Sequence, residues 1–343
     1  MSRCIELAKL GAGNVAPNPM VGAVLVHNNR ILGEGYHQQY GEAHAEVNCI
    51  NAIAEADQQF IEASTLYVSL EPCAHFGKTP PCADLIISKK IRTVVIGSRD
   101  PFEAVNGKGI EKLLAAGVQV TSGVLEEACM ELNKRFFYFH RKRRPYVILK
   151  WAETADHYIG LGPGNERLMI TNSFSNRLVH KWRSEEMSIM VGSKTASLDD
   201  PALTNRLWSG NSPVRIVTDR NLELPLSLQL FDGISPTIVF NSIKDDRDRA
   251  VEYVKIDFKD RIIPQVLDIL YHRNLTSLMV EGGAKLLQSF IGEGYWNEAR
   301  IITNTKLYAG NGVVAPVLRN ARFENSSQAG DDLIRYCINQ NQA

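Results

Sequence analysis

His44, Glu46, Cys73 and Cys82 are the residues whose types and spacing could do chemistry. One histidine and two cysteines leave the fourth position of a tetrahedral zinc open, as catalytic rather than structural sites do. The open position takes water, which zinc makes acidic enough to act as hydroxide near neutral pH. Glu46, just beyond His44, is then the proton shuttle between that water and a leaving amine. Each part is weak alone: His-x-Glu is common, and a lone cysteine is usually a small buried hydrophobe. Together, His44-Ala45-Glu46 at a helix start, Pro72-Cys73 after the next strand and Cys82 opening the next helix form a rare combination. His75 as a fourth ligand would close the site and leave Glu46 idle. Cys4, Cys49, Cys129 and Cys337 read as packed thiols.

The elements that must position these side chains follow from periodicity. Residues Ile5 to Leu10 end a short helix, stopped by Gly11 and Gly13. Val21 to Val26 and Ile31 to Tyr36 are strands of a hairpin turning at His27-Asn28-Asn29-Arg30. Pro17 and Pro19 hold Asn18 extended. From Ala45 the apolar spacing becomes helical, so His44 and Glu46 sit at a helix start. A strand over Thr65 to Leu70 leads into the loop Glu71 to Cys82, and a helix begins at Cys82 after two prolines. Further elements are strands at Thr93 to Gly97 and Val118 to Thr121, and helices at Gly109 to Ala116 and Glu126 to Phe139. The basic run His140-Arg141-Lys142-Arg143-Arg144 reads as a solvated linker ending at Pro145.

A second α/β alternation starts with a strand at Tyr146 to Trp151. Helices are expected near Phe174 to Glu185, Ile263 to His272 and Ala284 to Gly292. Strands are expected at Ser188 to Val191, Val214 to Asp219, Thr237 to Asn241, Ser277 to Val280 and Ala299 to Asn304. With 343 residues, two domains are expected, 1–144 and 145–343, each an α/β three-layer unit. Lys plus Arg and Asp plus Glu both number 38, so no net basic field favours nucleic acid over a small molecule. No run reaches the length of a membrane span. Cysteines without a signal peptide suggest a reducing compartment, most simply the cytoplasm. Homo-oligomerisation is left open.

The long loop Pro72 to Cys82 and the stretch Pro17-Asn18-Pro19-Met20-Val21-Gly22 resemble the bifunctional riboflavin-biosynthesis deaminase–reductases. The resemblance implies a cytidine-deaminase-like N-terminal domain. It would remove the 2-amino group of a diaminopyrimidinone carrying a ribosylamino 5-phosphate. His44, Cys73 and Cys82 would bind zinc, Glu46 would be catalytic, and Asn18, His37, His75 and Lys78 would hold the phosphorylated pyrimidine.

No Gly-x-Gly-x-x-Gly follows a strand in the second half, and Gly192-Ser193-Lys194-Thr195 lacks the earlier glycine of a phosphate-binding ATPase loop. Asp199-Asp200-Pro201-Ala202-Leu203-Thr204 with Arg206, and Val280-Glu281-Gly282-Gly283-Ala284, resemble the reductase half of the same family, similar in fold to dihydrofolate reductase. That implies reduction of the ribosyl group to ribityl by NADPH. Thr195, Asp199 and Gly283 would contact NADPH; Arg183, Leu203, Arg206 and Glu281 would contact substrate. The chain departs from the family pattern twice. Thr154-Ala155-Asp156-His157 stands for Ser-Leu-Asp-Gly, and Arg167-Leu168-Met169-Ile170-Thr171 stands for Ser-x-Trp-Ile-Thr. A deaminase with a degenerate reductase partner, a deaminase of another base or nucleoside, and a non-catalytic zinc-bound assembly module are the rival readings.

Overall fold

Helix α1 (Ser2–Lys9) and strand β1 (Gly22–His27) show how the N-terminal layers arise. Ala23 and Leu25 of β1 enter one apolar cluster, with Ala45, Cys49, Ile86 and Leu113. Val24 enters another with Cys4 and Leu7. Successive strand residues point to opposite faces, so one strand serves both layers. The structure is a computed structural model describing residues 1–76, 80–103, 105–162 and 168–342. Contacts divide the chain into compact units Met1–Arg143 and Arg144–Ala343.

The first unit continues with β2 (Arg30–Tyr36), α2 (Ala45–Asn51), β3 (Thr65–Leu70), α3 (Cys82–Ser88), β4 (Thr93–Ser98), α4 (Lys108–Ala115) and β5 (Gln119–Ser122). The sheet runs β2-β1-β3-β4-β5, with β1 antiparallel to both neighbours and β3, β4 and β5 parallel. Asn28 and Asn29 both take positive φ, 46° and 61°, which a two-residue hairpin turn requires. Where one helix was expected there are two, α5 (Glu126–Leu132) and α6 (Lys134–Lys142). The buried Asn133 between them exchanges hydrogen bonds with the backbone N–H and C=O of Met20, both 2.8 Å. The basic run is therefore not simply linker, because His140, Arg141 and Lys142 belong to α6 and His140 packs against Phe102 and Phe136.

The second unit comprises β6 (Tyr146–Glu153), β7 (Tyr158–Gly160), α7 (Ser173–Glu185), β8 (Ser188–Gly192), α8 (Ser193–Asp199), β9 (Val214–Thr218), β10 (Thr237–Asn241), β11 (Asp246–Asp248) and β12 (Val251–Lys255). Then follow α9 (Ile262–His272), β13 (Ser277–Gly282), α10 (Ala284–Glu293), β14 (Glu298–Asn304), β15 (Val313–Val314), β16 (Ala321–Ala329) and β17 (Asp332–Asn339). A ten-stranded sheet has the order β11-β12-β10-β9-β8-β13-β6-β14-β17-β16. One face packs on α9 and α10 through Met190, Leu267 and Phe290. The other packs on α7 and α8 through Ile189, Val191, Val179 and Ala196. Both units are thus α/β and three-layered, as expected. The hairpin β16–β17 was not foreseen, because β16 is solvent-exposed along almost all its length and shows no apolar alternation.

Glycines set the seat of α2. A Cβ at Gly35 would lie 2.2 Å from the Cys49 nitrogen, and one at Gly33 would lie 2.4 Å from the Cys49 oxygen. Helix and strand backbones therefore touch, which fixes the N-terminus of α2 and the residues it carries. Gly35→Ala is expected to destabilise the first unit by roughly 1–3 kcal/mol through overpacking. Thermal unfolding checks this, with an unchanged melting temperature as the contrary result.

Candidate active sites

His44 is the N-cap of α2, Glu46 lies in its first turn, and Cys82 is the first residue of α3. The His44 Nδ1 stands 3.6 Å from the Cys73 Sγ and 3.3 Å from the Cys82 Sγ. A tetrahedral ion with bonds of about 2.3 Å to sulfur and about 2.1 Å to nitrogen separates those atoms by about 3.6 Å. All three ligand atoms lie within 4.8 Å of one another, so the donor set fits zinc. The backbone N–H of Cys82 donates to the Cys73 Sγ at 3.3 Å, which favours thiolate there. The Cys73 thiol is drawn down to about 4, chiefly by its hydrogen bond with Cys82, and the same bond drives Cys82 up. Glu46 is buried, and burial followed by the charge of Cys73 raises its carboxyl. A buried carboxyl that holds a proton more tightly than usual is suited to proton transfer.

The structure brings Asn18 and His37 to this centre. The His37 ring lies edge-on to His44 with centroids 5.3 Å apart. Its Nδ1 donates to the Ala43 carbonyl at 3.1 Å. Burial lowers its pKa, so the neutral ring leaves Nε2 to accept from the Asn18 amide at 3.2 Å. Asn18 follows a turn closed by its own N–H on the Val15 oxygen, 2.9 Å, rather than sitting in a simple extended loop. His75 is exposed, its ring 6.0 Å from Phe102. Lys78 lies outside the described residues.

Two acidic residues here escaped the sequence reading. The Glu71 carboxylate accepts backbone N–H groups from Asp100 (3.2 Å), Gly107 (3.0 Å), Gly109 (3.0 Å) and Ile110 (3.2 Å). Burial pushes Asp100 up to about 7 against the lowering hydrogen bond from the Phe102 N–H, with help from the charges of Glu71 and Cys73. No local motif marks either residue: the partners of Glu71 lie 29 to 39 residues away in sequence, and the burial that raises Asp100 is not visible in its neighbours.

In the second unit the other residues of interest gather at the carboxyl ends of parallel strands, where ligands of α/β sheets bind. A bulge between Val280 and Gly282 interrupts β13 at Glu281. Arg183 donates to both Glu281 oxygens at 2.8 Å and to the Thr204 carbonyl at 3.1 Å. Arg183 and Glu281 were both expected to contact substrate, and the structure pairs them with each other. Burial alone would raise Glu281, but the charges of Arg183 and Lys150 outweigh it and hold the carboxyl at about 2. Lys150, 3.8 Å from Glu281, was missed, although a lysine inside the apolar strand β6 is the signal that could have found it. Arg206 is exposed and its Nη1 donates to the Thr204 Oγ1 at 2.8 Å. Leu203 is buried with φ +53°, which leaves its backbone as the part available to a ligand.

Thr195 and Asp199 are four residues apart on α8 and share a face. Thr195 meets the turn after β13: a Cβ at Gly283 would lie 3.2 Å from the Thr195 Oγ1. Gly283 has φ +76° and is the N-cap of α10, which has no side-chain cap. This cradle at an uncapped helix start suits an anionic phosphate, so it fits a dinucleotide. Of the departures, His157 has φ +61°, which explains why glycine suits that position. Its Nδ1 donates to the Glu153 Oε1 at 3.0 Å. Met169 is exposed, and Arg167 lies outside the described residues.

Two family profiles match the chain. Residues 1–98 match the cytidine and deoxycytidylate deaminase zinc-binding region, and residues 145–332 match the RibD C-terminal domain. The Aquifex aeolicus riboflavin biosynthesis protein RibD is 38% identical, covering 90% of this chain and 86% of that protein. The Bacillus amyloliquefaciens RibD is 40% identical, covering 87% and 81%. The Thermotoga maritima diaminohydroxyphosphoribosylaminopyrimidine deaminase/5-amino-6-(5-phosphoribosylamino)uracil reductase superposes with TM-score 0.88 at 36% identity, covering 99% and 97%. An Acinetobacter baumannii RibD structure gives 0.89 at 29% identity, covering 98% and 97%. Fold and sites therefore define a zinc deaminase joined to a dihydrofolate-reductase-like reductase. The chain belongs to the RibD family, the bifunctional deaminase–reductases of riboflavin biosynthesis.

Cys82→Ser should lose zinc on dialysis while the chain stays folded, as metal analysis beside circular dichroism would show; full retention would remove Cys82 from the ligand set. A depressed carboxyl stabilises the fold above its unfolded pKa, 4.5 for Glu281, and that contribution disappears as pH falls from there towards about 2. Arg183→Met/Glu281→Leu should therefore lose less melting temperature than the parent over this window. Equal losses would contradict the pairing.

Proposed function

We propose that the first unit deaminates a diaminopyrimidinone bearing a ribosylamino 5-phosphate, and that the second reduces the ribosyl group of the product to ribityl with NADPH. The observation that carries this is the convergence of His44, Cys73 and Cys82 with the buried Glu46 beside them. Zinc held by those three atoms supplies Lewis acidity towards a water molecule. Glu46 takes a proton from the water that attacks the amine-bearing ring carbon and returns it to the departing nitrogen, which leaves as ammonia. Asn18, tied to His37, reads the edge of the heterocycle, and His75 and Lys78 hold the phosphorylated tail.

In the second unit, Thr195, Asp199 and the Gly283 turn hold NADPH, which supplies the hydride. Arg206 meets the substrate phosphate, with Arg183, Glu281 and the Leu203 backbone around it. The Arg183–Glu281 pair neutralises both charges and leaves Arg206 as the exposed cation of this cluster. A zero formal net charge supports a small-molecule substrate without nucleic acid, and free thiols support a cytoplasmic address. Among the described residues no helix is long and apolar enough to cross a membrane.

The test is incubation with the diaminopyrimidinone phosphate, followed by mass analysis. Without NADPH the product should carry oxygen in place of the amino nitrogen, and with NADPH two further hydrogens. Unchanged substrate would refute the deaminase reading. A deaminated product that gains no hydrogen would refute the reductase reading.

A further inference from the structure

We infer that His180 is a positioning residue for the reductase: its ring Nδ1 holds the backbone N–H of Arg206 and thereby fixes where that arginine meets an anionic substrate. The inference rests on the proposed contact between Arg206 and the substrate phosphate.

The segment from Asp200 to Arg206 belongs to no helix or strand, and Asp200 and Leu203 both take positive φ, 37° and 53°. Its geometry therefore depends on bonds to its surroundings. At one end, the Gln229 backbone N–H donates to the Asp200 Oδ1 at 2.7 Å and its side-chain amide to the Asp200 carbonyl at 2.6 Å. At the other, two residues of α7 grip it. Arg183 donates to the Thr204 carbonyl at 3.1 Å, and His180 accepts the Arg206 N–H at 2.9 Å. His180 and Arg183 are three apart and share a helix face, so both grips come from one rigid element.

His180 is buried, 2% exposed, and its acceptor role needs Nδ1 without a hydrogen. Burial, then the charges of Arg183 and Arg206, push its pKa down to about 4, so the ring is neutral near pH 7. Leucine would fill the space and accept nothing. Asparagine would place an oxygen at about the Nδ1 position, whereas glutamine would place it near Nε2. An arginine held in place before binding loses less conformational freedom when it engages phosphate.

The experiment measures reductase kinetics for the parent, His180→Leu, His180→Asn, His180→Gln and Arg206→Gln. The substrates are the deaminated pyrimidine phosphate and its dephosphorylated counterpart, with thermal unfolding and deaminase activity recorded for each variant. We expect His180→Leu and His180→Gln to raise KM for the phosphorylated substrate roughly tenfold, the equivalent of about 1.4 kcal/mol, with kcat nearly unchanged. His180→Asn should restore most of the parent KM, and constants for the dephosphorylated substrate should not move. Equal losses with both substrates, or a kcat loss without a KM change, would show a structural role and overturn the inference. If Arg206→Gln raises KM but no His180 variant does, the inference fails while the reading of Arg206 stands. If Arg206→Gln leaves KM unchanged, that reading fails and the inference with it. Should His180→Leu not fold, the Asn–Gln contrast still decides.

Discussion

The contact between α2 and β2 is the constraint on which the first site depends. Gly33 and Gly35 let the helix backbone rest directly on the strand, so α2 has one available height above the sheet. That height brings His44 to the sulfurs of Cys73 and Cys82 and buries Glu46. A similar close approach lies behind Cys73, where a Cβ at Gly109 would lie 2.0 Å from the Pro72 oxygen. Glu71 then ties the same neighbourhood to the loop ahead of α4 and to the helix's first turn, through the backbone N–H groups of Asp100, Gly107, Gly109 and Ile110. The metal ligands are thus placed by backbone contacts and satisfied hydrogen bonds, the kind of support that holds a site within a few tenths of an ångström.

The second site is governed by charge. Arg183, Lys150 and Glu281 are nearly buried, where an unpaired charge would be costly. Pairing resolves that cost and keeps the cluster together without ligand. Arg206, outside the pair, retains an exposed guanidinium. In the cradle, Thr195 and the uncapped start of α10 offer a hydroxyl and N–H groups to phosphate. One set of strand ends can therefore present a cation and an anion cradle near one another.

How much of this was legible in sequence depended on how local each signal was. His44, Glu46, Cys73 and Cys82 announce themselves because ligand chemistry and helix starts coincide within a short stretch. The layered folds were legible because alternating and helical apolar periods are local too. The Arg183–Glu281 pair spans 98 residues, and its partners each looked like a substrate contact on their own. His180 and Glu71 carry no local signal because their partners lie far off in sequence, at Arg206 and at Asp100 to Ile110. Hairpin β16–β17 was hidden by an exposed polar strand, and Asn133 splits a continuous helical pattern by binding the backbone of Met20. The positive φ of His157 explains a family glycine that periodicity could not interpret.

If the two centres are chemically independent, as proposed, Glu46 serves only the first. The most direct measurement is of Glu46→Gln, assayed for bound zinc, for deamination, and for NADPH oxidation with the deaminated pyrimidine supplied. Retained zinc, lost deamination and unimpaired reduction are expected. Deamination at the parent rate with zinc bound would contradict that role for Glu46.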